Sequence, residues 1–349
     1  MLPEISSTSR IILEKGSTIE MLKLESTSRI QFRLSVHRPL FVSPALAEAL
    51  GCAAKVKICH YCCPADILCS VYASLALNHK LRSLHIDCLS DSLGGESTPP
   101  GALIGAICMA LKACGSLQTF YVKVVNCFAE KEETALLLTE VFDALTRNPR
   151  LRKLSLVFTQ LTFKTAEVLS VLVSRYKRSL VELHISSILI ISDKVLNVLQ
   201  NMVTTNVFLS RISVRCSAWK DAAQACAAVD NAKERNQWLL NKAARFVTSL
   251  DGGPTTPPDH RCAAAFDELR GTASFREHLM ALSGKFEAEV SMDIKKARSY
   301  LEENYFVFAG IVRAGVVCEA EDRSTQLSAL NVDCWRAIAQ YLKLSDVVR

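Results

Sequence analysis

The sequence is short of aromatic residues, glycine and net charge, and it has no long apolar run. Aromatics make up 7% of the 349 residues and glycine occurs 13 times, too few of either for a collagen-like or low-complexity chain. The net charge is +6, from 41 Lys and Arg against 35 Asp and Glu, spread along the chain. A phosphate-binding protein would concentrate its basic residues, so nucleic acid is not an expected partner. The longest apolar stretches, around Ser186–Ser192 and Tyr305–Val317, reach about a dozen residues where a bilayer span needs roughly 20, so no membrane partner is expected. The opening Met1–Arg10 is polar and early-acidic, with no basic segment leading into an apolar one, and does not read as a secretory signal. No Asn-x-Ser/Thr sequon occurs. These absences together point to a cytoplasmic or nuclear chain.

Catalytic and cofactor motifs are missing as well. There is no Gly-x-x-x-x-Gly-Lys-Ser/Thr loop to cradle phosphates, no His-Glu-x-x-His, no Gly-x-Ser-x-Gly and no EF-hand loop. Gly94–Gly101 is glycine-rich, but its prolines remove backbone donors, and it reads as the long loop of an expanded repeat. No cofactor, metal or enzymatic activity is expected.

What the chain does have is apolar content and cysteine. Half of its residues are hydrophobic, only 22% are charged, and 14 are cysteine, enough to fill a core and exclude wholesale disorder. Cys59-His60-Tyr61-Cys62-Cys63, with Cys69 and Cys88 nearby, contains one Cys-x-x-Cys. Two thiolates at that spacing can grip zinc, but a closed tetrahedral site takes two more ligands, normally from a second pair, and none exists. A redox pair would sit in a thioredoxin-like context, which is also missing. Packing of reduced thiols in and out of a core strand is the expected role.

The organising feature is a repeat. The pattern Leu-x-x-Leu-x-Leu recurs at Leu81-x-x-Leu84-x-Ile86, Leu117-x-x-Phe120-x-Val122, Leu151-x-x-Leu154-x-Leu156, Leu180-x-x-Leu183-x-Ile185 and Leu209-x-x-Ile212-x-Val214. A weaker copy precedes them at Ala53-x-x-Val56-x-Ile58, and a cruder one lies at Thr27-x-x-Ile30-x-Phe32. From Ala53 onward the start-to-start intervals are 28, 36, 34, 29 and 29 residues. Between the strand patterns, Ala65–Ala76, Ala102–Cys114, Glu132–Asn148, Ala166–Val173 and Val195–Met202 carry apolar residues at helical spacing, with Asp193 placed as an N-cap. A strand and a helix with one apolar face each cannot bury both surfaces alone. Stacked units can, giving a parallel sheet backed by helices. A doubly wound sheet would show continuous β-branched strands and a glycine-rich phosphate loop, and neither is present.

The pattern, the unit length near 29 and the phrase Phe142–Leu156 resemble leucine-rich repeats of the ribonuclease-inhibitor and NLR type. That resemblance implies an α/β solenoid over residues 45–216, with a parallel sheet on the concave side and helices on the convex side. The Asn or Cys the family places three residues after the last strand leucine is Leu89, Val125, Thr159, Ile188 and Ser217 here, so the side-chain ladder between turns is expected to be missing or shifted. Residues 1–44 read as an N-terminal cap or flanking segment. The outward strand positions are then the candidate partner-binding surface: His85, Asp87, Tyr121, Lys123, Lys153, Ser155, Glu182, His184, Arg211 and Arg215. They are mixed in sign, which suits a polar protein surface, and Tyr121 is the best anchor. His85 and His184 fall at equivalent outward positions and read as surface residues rather than a metal pair.

After residue 216 the composition turns helical. Trp219–Leu250, His260–Leu282, Phe286–Glu302 and Tyr305–Val317 read as an all-α C-terminal cap over 217–325, with a loop at Asp251–Pro258. Glu234–Val247 resembles the run that follows the repeats in a group of arthropod leucine-rich-repeat proteins. Leu330–Val347, within a last segment 326–349, is similar to the start of an F-box. That resemblance implies docking of a Skp1-type adaptor through Trp335, Ile338, Tyr341, Leu342 and Val347, while a plain capping helix explains the same apolar stripe. The sequence therefore points to a non-enzymatic protein-interaction scaffold. Two alternatives are an F-box-type substrate adaptor of a ubiquitin ligase and a GTPase-activating repeat protein of the RanGAP kind. In the latter, Arg152 or Asn126 would orient phosphoryl transfer.

Overall fold

The computed structural model describes residues 10–12, 31–34, 44–60, 65–89, 101–124, 132–176, 178–188, 192–216, 223–250 and 259–309, with single positions at 334, 337 and 344. The chain divides into two compact units, Met1–Ala232 and Lys233–Arg349.

In the first unit eight strands form one parallel sheet in strict chain order. They are β1 (Arg10–Ile12), β2 (Gln31–Leu34), β3 (Lys55–Cys59), β4 (Ser83–Leu89), β5 (Thr119–Val124), β6 (Lys153–Phe158), β7 (Glu182–Ser187) and β8 (Arg211–Cys216). The connections from β2 to β8 carry helices α1 (Pro44–Cys52), α2 (Ala65–Ala76), α3 (Ala102–Ala113), α4 (Glu132–Leu145), α5 (Phe163–Arg175) and α6 (Asp193–Thr205), each packed on the next. Right-handed crossovers in a sheet that grows in one direction all fall on one side. Helices therefore cover one face of the sheet and leave the other open. This is a leucine-rich-repeat-like α/β solenoid.

The strand pattern sets the register. Val56, Leu84, Phe120, Leu154, Leu183 and Ile212 pair in one row across the sheet, and Ile58, Ile86, Val122, Leu156, Ile185 and Val214 in the next. All but Val214 are buried under the helices, in one apolar cluster that runs from Leu50 to Ala232. The layer also holds large rings, since Tyr72, Phe120, Phe142 and Phe158 are fully enclosed. The sheet extends in front of residue 45 through β1 and β2, but two residues out of step with the early pattern. Phe32 pairs with Val56 and Leu34 with Ile58, so the copy is Arg29-x-x-Phe32-x-Leu34 rather than Thr27-x-x-Ile30-x-Phe32. Asp193 is the first residue of α6 and Ser192 its N-cap; the carboxylate still lies at the positive end of the helix.

A ladder ties successive units together, at the turn from helix to strand rather than after the strand. Asn78 Nδ2 donates to the carbonyls of Leu50 (2.6 Å) and Ala53 (2.7 Å). Asn148 Nδ2 donates to Leu111 O (2.8 Å), Cys114 Sγ lies 3.5 Å from Leu75 O, and the Tyr176 hydroxyl donates to Leu145 O. Each reaches back to the helix end of the preceding unit, where the last carbonyls lack the usual partner four residues on; those of Leu75 and Leu145 also accept the backbone N–H of Asn78 and Asn148. Asn78, Cys114 and Asn148 stand three residues before Leu81, Leu117 and Leu151, so the tie recurs with the repeat.

The second unit is helical among the described residues. Helix α7 (Ala223–Ser249) enters from the first unit and is followed by α8 (His260–Leu269), α9 (Ala273–Ser283), α10 (Glu287–Glu303) and α11 (Tyr305–Phe308). His260–Leu282, which the periodicity joins into one helix, is two. The chain breaks over Arg270–Thr272, where Gly271 disfavours helix and Thr272 caps α9 by accepting from Phe275 N. Phe246, Phe266, Phe275, Tyr300 and Phe308 form the aromatic core, with Phe246 and Phe266 stacked at 5.0 Å. Leu344 is buried and its N–H donates to Asp267 Oδ2 at 3.1 Å. Among the described residues no helix is long and apolar enough to cross a membrane.

Candidate functional site

The open face is the pleat opposite the leucine rows, so its side chains are fixed by the same register. One row runs Lys57, His85, Tyr121, Ser155, His184 and Ser213 from β3 to β8. A second, on one side of it, runs Lys55, Ser83, Thr119, Lys153, Glu182 and Arg211. On the other side Lys123, Val157, Ser186 and Arg215 pair in order, and Asp87 sits where β4 departs from regular register with β5. All ten residues singled out from the sequence lie on this face, half-buried or exposed.

Charge on the face is arranged around two carboxylates. Asp87 lies between Lys57 and Lys123, each 3.8 Å away. Glu182 lies between Lys153 (2.9 Å) and Arg211 (3.4 Å). Burial alone would raise the Glu182 carboxyl, but hydrogen bonds and attraction from Lys153 and Arg211 outweigh it and hold it below the usual range. Lys55 and Arg215 pair with no carboxylate among the described residues. The middle row is neutral beyond Lys57. The His85 ring stacks on Tyr121, with centroids 3.7 Å apart and planes inclined by 24°. Partial burial, with Lys57 beside it, brings the His85 imidazole down to about 4. Burial and Arg215 lower His184 as well. At neutral pH both rings are uncharged.

The other candidate chemistry is dispersed or lies elsewhere. His60 is fully buried, its Nε2 2.7 Å from the Tyr72 hydroxyl; Cys62 and Cys63 lie outside the described residues, as does the Cys59 side chain. Among the described residues no three metal-binding side chains gather. Cys108, Cys114 and Cys262 are buried, whereas Cys52 and Cys334 are exposed; burial pushes the Cys108 and Cys114 thiols up to about 11. Arg152 is half-buried at the start of β6, its carbonyl accepting from Val181 N and Glu182 N, and Asn126 lies outside the described residues. So do Trp335, Ile338, Tyr341, Leu342 and Val347. Sequence reasoning missed Lys55 and Lys57, which the weak Val56-x-Ile58 copy already placed outward, and it missed the turn ladder, whose signal is Asn/Cys-x-x-Leu.

No family model and no curated protein matches the chain. Among solved structures it is similar to the tropomodulin C-terminal domain of Caenorhabditis elegans, at 12% identity and a TM-score of 0.30, over 56% of this chain and 93% of that one.

Proposed function

We propose that the chain is a non-enzymatic scaffold of the cytoplasm or nucleus that binds a protein partner on the open sheet face, across β4 to β8. The observation that carries this reading is the row His85, Tyr121, Ser155, His184 and Ser213, one side chain from each of five consecutive strands. A parallel sheet holds such a row rigidly, so little ordering cost opposes association. Tyr121, half-buried and braced by His85, supplies the large, stiff, amphipathic anchor that interfaces favour. The leucine pattern and the units near 29 residues support a leucine-rich-repeat relationship of the ribonuclease-inhibitor and NLR type.

A photo-crosslinking side chain introduced at Ser155, on the open face, and separately at Val171, exposed on α5, tests the reading in cells. Position 155 is expected to give a discrete crosslinked protein that disappears in the Tyr121→Ala background. The same product from both positions, or none from position 155, overturns the proposal.

A further inference from the structure

We infer that the open face takes an acidic, extended segment of a protein partner, laid across the strands along the row from His85 to Ser213. This rests on the scaffold reading and gives its partner a chemistry. The face described above carries six cations, Lys55, Lys57, Lys123, Lys153, Arg211 and Arg215, against two carboxylates, Asp87 and Glu182. Both carboxylates are already engaged by two cations each. The excess positive charge is therefore presented outward, and an acidic partner is the complement.

The layout adds direction. Lys153 and Arg211 line one side of the middle row, Lys123 and Arg215 the other, and Lys57 closes its β3 end. The floor between them is uncharged at neutral pH, because His85 and His184 are held unprotonated. From β4 to β8 the row spans about 19 Å at the usual strand spacing, the length of about six extended residues. An extended segment turns alternate side chains to opposite sides. Acidic residues on it meet cations on both flanks while one apolar or aromatic residue rests on the His85–Tyr121 pair. A nucleic acid strand fits less well. Its phosphates recur at every nucleotide and would meet the fixed carboxylates of Asp87 and Glu182, and the row offers one stacked platform rather than one per base.

The test uses the full chain and fluorescence anisotropy. The probe is a labelled peptide of about nine residues in which pairs of Glu flank a central Trp and Ser fills the remaining positions, so that Glu falls on both sides of the extended chain and its length covers the row with a residue or two to spare at each end. The comparisons are the same peptide with Gln for Glu and an oligothymidine of similar length. The Glu peptide is expected to bind at least about tenfold more tightly than the Gln peptide and to weaken as salt rises. Lys123→Gln with Arg215→Gln is expected to weaken it about tenfold, with the circular dichroism spectrum unchanged. Lys112→Glu, exposed on α3, leaves binding as it is, and Glu182→Gln tightens it. Equal binding of the Glu and Gln peptides, or insensitivity to the double substitution, overturns the inference. Tighter binding of oligothymidine overturns it in favour of a phosphate ligand. If the crosslink from position 155 persists in the double variant, the acidic-segment inference falls while the scaffold reading stands.

Discussion

The imidazole of His85 lies flat on the ring of Tyr121, its centroid 3.7 Å away. The two residues are 36 apart in sequence and meet because the inward-facing residues beside them, Leu84 and Phe120, are in register. The stack covers one side of the imidazole, and loss of water disfavours its protonated form. Following the His85 ring by NMR from pH 7.5 to 3.5 is expected to give a midpoint near 4 in the native chain. In Tyr121→Ala the midpoint moves up towards 6.5, the ordinary value. An unchanged midpoint would mean that Lys57, the next cause of the shift, carries it instead.

His60 makes the stability of the first unit acid-sensitive. Burial takes its imidazole down to about 4, against an opposing pull from Asp87. The unfolded chain takes up this proton near 6.5, before the native chain does. The stabilisation is therefore complete above 6.5 and is lost as pH falls from 6.5 to about 4, by roughly 3 kcal/mol for a group this buried. Urea unfolding at pH 7.5 and 4.5 is expected to show a native chain that loses stability faster than His60→Gln over that interval. Tyr72→Phe, which leaves Nε2 without its hydroxyl partner, is expected to cost about 1–3 kcal/mol at neutral pH.

The turn ladder predicts unequal costs for small polar deletions. Asn78→Ala leaves two buried carbonyls, those of Leu50 and Ala53, without a donor. Asn148→Ala leaves one, that of Leu111. Each stranded carbonyl costs about 1–3 kcal/mol, so Asn78→Ala is expected to be the more destabilising. Cys114→Ala is milder because a thiol is a weak donor. Denaturant midpoints of the three variants check the order, and a larger loss in Cys114→Ala than in Asn78→Ala would contradict it.

How much of this was legible in the sequence depends on how local the signal is. Leu84, Leu154 and Leu183 announce their strands and also their faces, because period two leaves no choice once one side is buried. The outward residues, His85 and Tyr121 among them, came from the same arithmetic. That they stack did not, since ring contact depends on side-chain rotamers across two strands. The ladder is not legible where the family pattern places it, after the strand, because Asn78, Cys114 and Asn148 act before it. The early copy was misplaced by two residues because Ile30 and Phe32 both suit an inward position and only pairing with Val56 chooses between them. The helix break at Gly271 was passed over because the apolar spacing of α8 and α9 runs on across it.

Glu182 is where the face separates stability from charge. Its carboxylate, a third of its side chain exposed, joins Lys153 on one side and Arg211 on the other, both well exposed to solvent. Pairs in such positions contribute little, so Glu182→Gln is expected to change the unfolding free energy by less than about 1 kcal/mol. Its electrostatic effect is larger and falls on a neighbour. Burial and Arg215 already lower the His184 imidazole, and Glu182 is the group that opposes them. Neutralising Glu182 is therefore expected to carry the His184 midpoint lower still, while His85, set by burial first and then by Lys57 and Asp87, stays where it is. NMR titration of both rings in Glu182→Gln reads this directly. A shift of His85 equal to that of His184 would show that the two carboxylates act as one diffuse field rather than as two local bridges.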